Sequence, residues 1–177
     1  MNESPQQSPQ VDPAIVETLL ACFRRGDYAG GEQIARRPTL SHPAHGFGWK
    51  ALGAMLKQQG KTAAALAPMQ QATQLQPEDA EAHFNLAVGL HELGSFADAE
   101  ASYRRTLEIS PDYFDAYGKR GACLMKQGDF ATAEACYRQL LASRPDSSEA
   151  LSWLALALQE QGRLGEAEAC HRLSLEL

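Results

Sequence analysis

Glycine recurs every 34 residues in this chain, at Gly26, Gly60, Gly94, Gly128 and Gly162. A unit that repeats at this period cannot bury its own apolar face, so it stacks on its neighbours. Other columns keep the same register. Pro43, Pro77, Pro111 and Pro145 follow the first four glycines by 17 residues. Ala65, Ala99, Ala133 and Ala167 follow the later four glycines by five residues. Leu56, Leu90, Leu124 and Leu158 precede those four by four residues, and Leu52, Leu86, Arg120 and Leu154 by eight. Trp49, His83, Tyr117 and Leu151 precede them by eleven, and no insertion breaks the register from Gly26 to Gly162. Stacked units present long continuous surfaces, which points to binding.

Each unit reads as two helices. Between Ala80 and Leu93, residues His83, Leu86, Ala87 and Leu90 follow the i, i+3, i+4, i+7 spacing of one helical face. Gly94 supplies the left-handed conformation that ends the helix. Phe96, Ala99, Tyr103 and Leu107 begin a second stripe, which Pro111 terminates. Small residues such as Gly53, Ala87, Gly121 and Ala155 let helix backbones approach, and larger ones such as Tyr103 and Tyr137 fill the space beside them.

The unit resembles the tetratricopeptide repeat, which has this 34-residue period and a W..LG..Y, A...F, P pattern. The resemblance implies an all-α fold, a right-handed α-solenoid of antiparallel helix pairs. Residues 46–79, 80–113 and 114–147 are expected to form complete repeats, and residues 148–177 a last repeat truncated at its end. Residues 12–45 read as a degenerate first pair: Gly31 replaces the usual alanine, Thr18 a leucine, and Pro38 is expected to cut the second helix short. Pro68 is expected to kink the helix that contains it. Residues 1–11, rich in Pro, Gln and Ser, read as a disordered leader.

Composition narrows the function classes. The formal charge of −6 argues against a general nucleic-acid or anionic-membrane binder. No apolar run approaches the ~20 residues that span a bilayer, and the N-terminus lacks a secretory pattern. Cys22, Cys123, Cys136 and Cys170 form no CxxC pair, and they read as small packing residues in a reducing compartment. A cytoplasmic location is therefore expected. His42 and His45 form an HxxH in a Pro-rich turn, without the further ligands that zinc needs. Neither GxxxxGK[ST] nor GxGxxG occurs, and no catalytic constellation, metal site or cofactor is expected.

The resemblance implies that the first helix of each pair lines a concave groove, with its core stripe turned away. The residues then expected to face a partner include Lys50 and Lys57 in one unit, and Phe84, Asn85, Val88 and His91 in the next. Lys119, Met125 and Lys126 follow, then Trp153 and Leu156. Gly118 falls on the same free stripe. Phe84, Val88, Met125, Trp153 and Leu156 are expected to give apolar contact, and Asn85 to hold a peptide backbone. Lys50, Asn85 and Lys119 resemble part of the carboxylate clamp of some family members, but Ala54 and Asp115 stand where that clamp has asparagine and a base. Arg120, in a leucine column, is expected to reach Glu134 or another acid.

Three functions fit this pattern. The first is a non-enzymatic scaffold that binds a partner peptide or helix in the groove. The second is the substrate-docking array of a larger enzyme, because His42–Gln59 resembles repeats that precede bacterial glycosyltransferases of the O-linked N-acetylglucosamine transferase type or sulfotransferases. Asn85 matches one rung of that transferase's asparagine ladder, while Ala51, Lys119 and Trp153 occupy the others. The third is a homo-oligomer formed through the leucine-rich C-terminal helix, with Leu173 and Leu177 as contact residues.

Overall fold

The computed structural model describes residues 12–177, so the expected leader at residues 1–11 lies outside the described residues. Among the described residues there are ten helices and no strand. The chain divides after Leu93 into two compact units. The first contains α1 (Pro13–Arg25), α2 (Tyr28–Ser41), α3 (Gly46–Gln58), α4 (Thr62–Leu75) and α5 (Ala80–Glu92). The second contains α6 (Phe96–Ile109), α7 (Phe114–Gln127), α8 (Phe130–Ser143), α9 (Ser148–Glu160) and α10 (Leu164–Glu176). Within each unit, successive helices pack against one another.

The helix ends follow from local chemistry. All five periodic glycines have positive φ, between 72° and 79°, and no other described residue does. Each turns the chain with the conformation that a side chain disfavours. The second helices end at His42, Gln76, Ser110 and Arg144, whose N–H groups donate to carbonyls four residues back at 2.9 Å. A proline follows each of these residues and pushes it out of the helical region. Asp27, Asp79, Asp129 and Ser147 cap helix starts by accepting from a backbone N–H three residues on.

The core forms where the small column meets the large one. In the first unit, a Cβ on Gly53 would lie 2.7 Å from Met69 Cγ. In the second, a Cβ on Gly121 would lie 2.5 Å from Tyr137 Cε1. Leu124, Tyr137, Leu154 and Leu158 form the buried cluster there, with Cys136 and Ala155 between them. Two members of the aromatic column also secure the turns. Trp49 Nε1 donates to Pro43 O at 2.9 Å, and His83 Nε2 lies 3.1 Å from Pro77 O.

The structure corrects one expectation for the first helix pair and shows how its irregular residues pack. Pro38 does not shorten α2, which runs on to Ser41 and has the same 14 residues as α4, α6 and α8. Pro38 lies in the last turn, is buried, and gives its carbonyl to the His42 N–H at 2.9 Å. In α1, Thr18 is exposed and bonds back to Ala14 O, while Leu19 and Cys22 carry the buried face. Leu19 thus fills the column that holds Gly53 and Ala87 elsewhere, and Gly31 makes room for Met55 across the α2–α3 contact. Arg120 reaches another acid than Glu134: its Nε pairs with Glu100 at 2.7 Å. Pro68 is buried inside α4, which is continuous from Thr62 to Leu75.

Candidate functional site

Each unit carries an apolar hollow. The first-unit hollow is a cavity of about 210 Å³ among α1, α3 and α5. Leu20 and Phe23 reach it from α1, Phe47 and Ala54 from α3, and Asn85 from α5. Leu20 and Phe23 are exposed, although they belong to the pair that reads as degenerate in sequence. Their signal is an i, i+3 apolar pair lying off the buried Leu19–Cys22 stripe.

Lys50 lines this hollow without being free. Its Nζ donates to Asp79 Oδ2 at 2.8 Å and to Glu81 Oε2 at 2.9 Å. Partial burial works against its charge, but the two hydrogen bonds outweigh it and hold the ammonium above its usual range. Asp79 is likewise opposed by burial and held low by Lys50 and the Ala82 N–H. Lys57 pairs with Glu92 at 3.4 Å. Lys50, which resembles part of a carboxylate clamp, therefore already has two carboxylates within the chain.

The second-unit hollow is larger, about 410 Å³. Its lining includes Met125 and Lys126 from α7, Phe130 and Tyr137 from α8, and Trp153 and Leu156 from α9. Ala122 and Glu160 complete it. Trp153 is 37% exposed and Leu156 46%. Trp153 is held by Tyr137, with ring centroids 5.8 Å apart and planes tilted by 38°. Gly118, expected on the free face, is buried instead: a Cβ there would lie 3.0 Å from Trp153 Cζ3. The glycine thus lets the indole lie close over α7.

Of the residues named from sequence, Lys50 and Asn85 meet in the first hollow, and Met125, Lys126, Trp153 and Leu156 in the second. Lys57, Phe84, Val88, His91 and Lys119 line neither. Phe84, Val88 and His91 are half-buried on α5, and Lys119 is exposed on α7. Sequence reasoning missed Tyr137, because its column reads as core. Its ring is both core and hollow wall. Leu173 and Leu177, on and just beyond α10, are 47% and 60% exposed.

His42 ends α2 and His45 caps α3, its Nδ1 accepting from the Phe47 N–H at 3.3 Å. Among the described residues no cluster of His, Cys, Asp and Glu could hold a metal ion. No described helix is long and apolar enough to cross a membrane.

Glycine-capped, proline-terminated helix pairs in tandem define an α-solenoid. The chain belongs to the tetratricopeptide repeat family, whose sequence profiles match residues 51–114, 123–172 and 102–135. No curated protein sequence matches it significantly. Solved structures do resemble it. A crystal structure of MamA protein superposes with a TM-score of 0.86 at 20% identity, covering 92% of this chain and 89% of that one. A MamA fragment, 41 to the end, from Desulfovibrio magneticus RS-1 gives 0.69 at 20% identity over 72% of each chain. YrrB, described as a TPR protein with an unusual peptide-binding site, gives 0.85 at 12% identity over 92% of this chain and 84% of that one. At these identities the likeness is one of fold.

Proposed function

We propose that the chain is a non-enzymatic protein-interaction scaffold that holds an extended or helical segment of a partner protein. One observation carries this reading: Trp153 and Leu156 stay exposed over an apolar hollow, and Trp153 is braced by Tyr137 and Gly118. A large apolar side chain held at the surface by packing loses little freedom on binding, which is what interface hot spots share. YrrB, of the same fold, is described as having a peptide-binding site.

The test is titration of a partner peptide, obtained by selection from a displayed random library, against the chain and its variants. Trp153→Ala is expected to weaken binding by about tenfold or more, with thermal unfolding showing that the variant is folded. Equal affinity for the parent chain, Trp153→Ala and a Phe23→Ala, Asn85→Ala double variant would overturn the reading.

A second reading, self-association through α10, is favoured by the exposure of Leu173, Leu175 and Leu177. Light scattering across a dilution series tests it. A mass that stays monomeric at high concentration, and is unchanged by Leu173→Lys with Leu177→Lys, would exclude it.

A further inference from the structure

The lysines of the two units differ in a way that bears on the partner. On α3, Lys50 and Lys57 are both neutralised by carboxylates within the first unit. On α7, Lys119 and Lys126 are exposed, and neither makes an ion pair among the described residues. Two neighbouring charges on α7 are already matched: Asp115 pairs with Arg144 at 3.0 Å, and Arg120 with Glu100 at 2.7 Å. Lys119 and Lys126 are seven residues apart, which places them on one helical face roughly 10 Å apart along the axis. Ala122 and Met125, between them, line the hollow.

Such a face has an apolar seat beside two lysines that make no ion pair among the described residues, with the carboxylate of Glu160 on the opposite, α9 side. We propose that the second-unit hollow takes a segment of a separate protein in which a bulky apolar side chain lies within one or two residues of a carboxylate. The apolar group rests on Met125, Tyr137, Trp153 and Leu156, and the carboxylate pairs with Lys126 or Lys119. This rests on the reading of the hollow as a partner site and adds the partner's chemistry. Glu160 gives the site a direction. It lines the α9 side of the hollow, is exposed, and makes no ion pair among the described residues. A carboxylate above α9 would be repelled, so the acidic residue lies towards α7 and an uncharged or basic one towards α9.

The experiment selects displayed random peptides on the whole chain, then titrates synthetic copies by fluorescence anisotropy. The variants are Trp153→Ala and the double charge reversal Lys119→Glu with Lys126→Glu. Enriched peptides are expected to place Asp or Glu within two residues of Leu, Ile, Phe or Trp. The charge reversal should weaken them about tenfold or more, and selection repeated on it should enrich Lys and Arg instead. Peptides that need Trp153 but are neutral or basic beside their anchor, or that survive charge reversal, overturn the proposal and leave the partner site standing. Peptides indifferent to Trp153, or no enrichment at all, overturn both. Should Trp153→Ala fail to fold, Leu156→Ser replaces it. Sedimentation of the chain alone covers the remaining occupant. A dimer lost on the same charge reversal would assign the hollow to a second copy, whose Leu175, Glu176 and Leu177 are exposed, and would overturn the separate partner.

Discussion

The Gln161 side-chain amide donates to Glu134 Oε2 at 2.9 Å, tying the end of α9 to the first turns of α8. The same amide reaches Phe130 O at 3.3 Å and Ala157 O at 3.1 Å. Gln59 repeats this geometry with Glu32 at 2.9 Å, Tyr28 O at 3.1 Å and Met55 O at 3.2 Å. Gln127 bonds Phe96 O and Cys123 O at 3.3 Å, with Glu100 in the corresponding acidic column. At the fourth such pair both positions change together, to Leu66 and Leu93. The polar staple thus belongs to particular helix-to-helix junctions and is not needed at every one.

This junction predicts non-additivity. Gln161→Leu or Glu134→Leu alone should each cost about 0.5–1.5 kcal/mol, since each removes one hydrogen bond of the other while Glu134 keeps Arg138 and Arg163 and Gln161 keeps Phe130 O and Ala157 O. The double variant should cost less than their sum by about 0.5 kcal/mol or more. Denaturant unfolding of the three variants checks this, and simple additivity would contradict it.

Acid should weaken the first unit. Hydrogen bonds from Arg36, Gln59 and Lys61 hold Glu32 at about 2, against an ordinary 4.5. Because the folded value is the lower one, the contribution is fully present above pH 4.5, declines as pH falls, and is lost below about 2. Glu32→Gln should flatten the fall of melting temperature across that window. An unchanged profile would remove Glu32 as the cause.

Two glycines should fail for different reasons. Gly60 has φ 74° and open space around a Cβ, so Gly60→Ala should cost about 1 kcal/mol from backbone strain alone. Gly121→Ala brings its Cβ against the buried Tyr137 ring, and overpacking of about 1–3 kcal/mol exceeds the helix-propensity gain of up to about 1 kcal/mol. Tyr137→Phe leaves that clash in place, whereas Tyr137→Leu should relieve it. Thermal unfolding of the single and paired variants distinguishes the two mechanisms.

Thiol accessibility should rank the cysteines. Cys22, Cys123 and Cys136 are buried and Cys170 is half-buried. Burial pushes Cys123 up to about 11, so its thiolate is scarce at neutral pH. A thiol reagent should label Cys170 first, and the other three only on unfolding. Early labelling of Cys123 in the native chain would contradict the packing.

The fold was largely legible because its determinants are local. Gly94 marks a turn since only glycine adopts positive φ without strain, and Pro111 marks a helix end since it constrains Ser110. Pro38 misled for the same reason. A proline near a helix end removes one donor, yet α2 continues through it because the last turn still closes on His42. Thr18 is exposed where Leu52, Leu86 and Leu154 of its column are buried, and Leu19 beside it carries the buried face of α1.

The site was less legible. Helical spacing placed Lys50, Lys126 and Trp153 on one kind of face, and it could say no more than that. The 34-residue period, the ten helix ends and the small-against-large core columns follow from backbone conformation and side-chain volume along the chain. Whether a surface lysine is neutralised, or an indole is braced over a glycine, depends on residues about 30 positions away that meet only when repeats stack. Lys50 finds Asp79 and Glu81, Trp153 finds Gly118, and Lys126 finds no ion-pair partner among the described residues. Charge pairing and aromatic packing act over a few ångströms, so tertiary contact alone decided which of these side chains stayed exposed and unpaired.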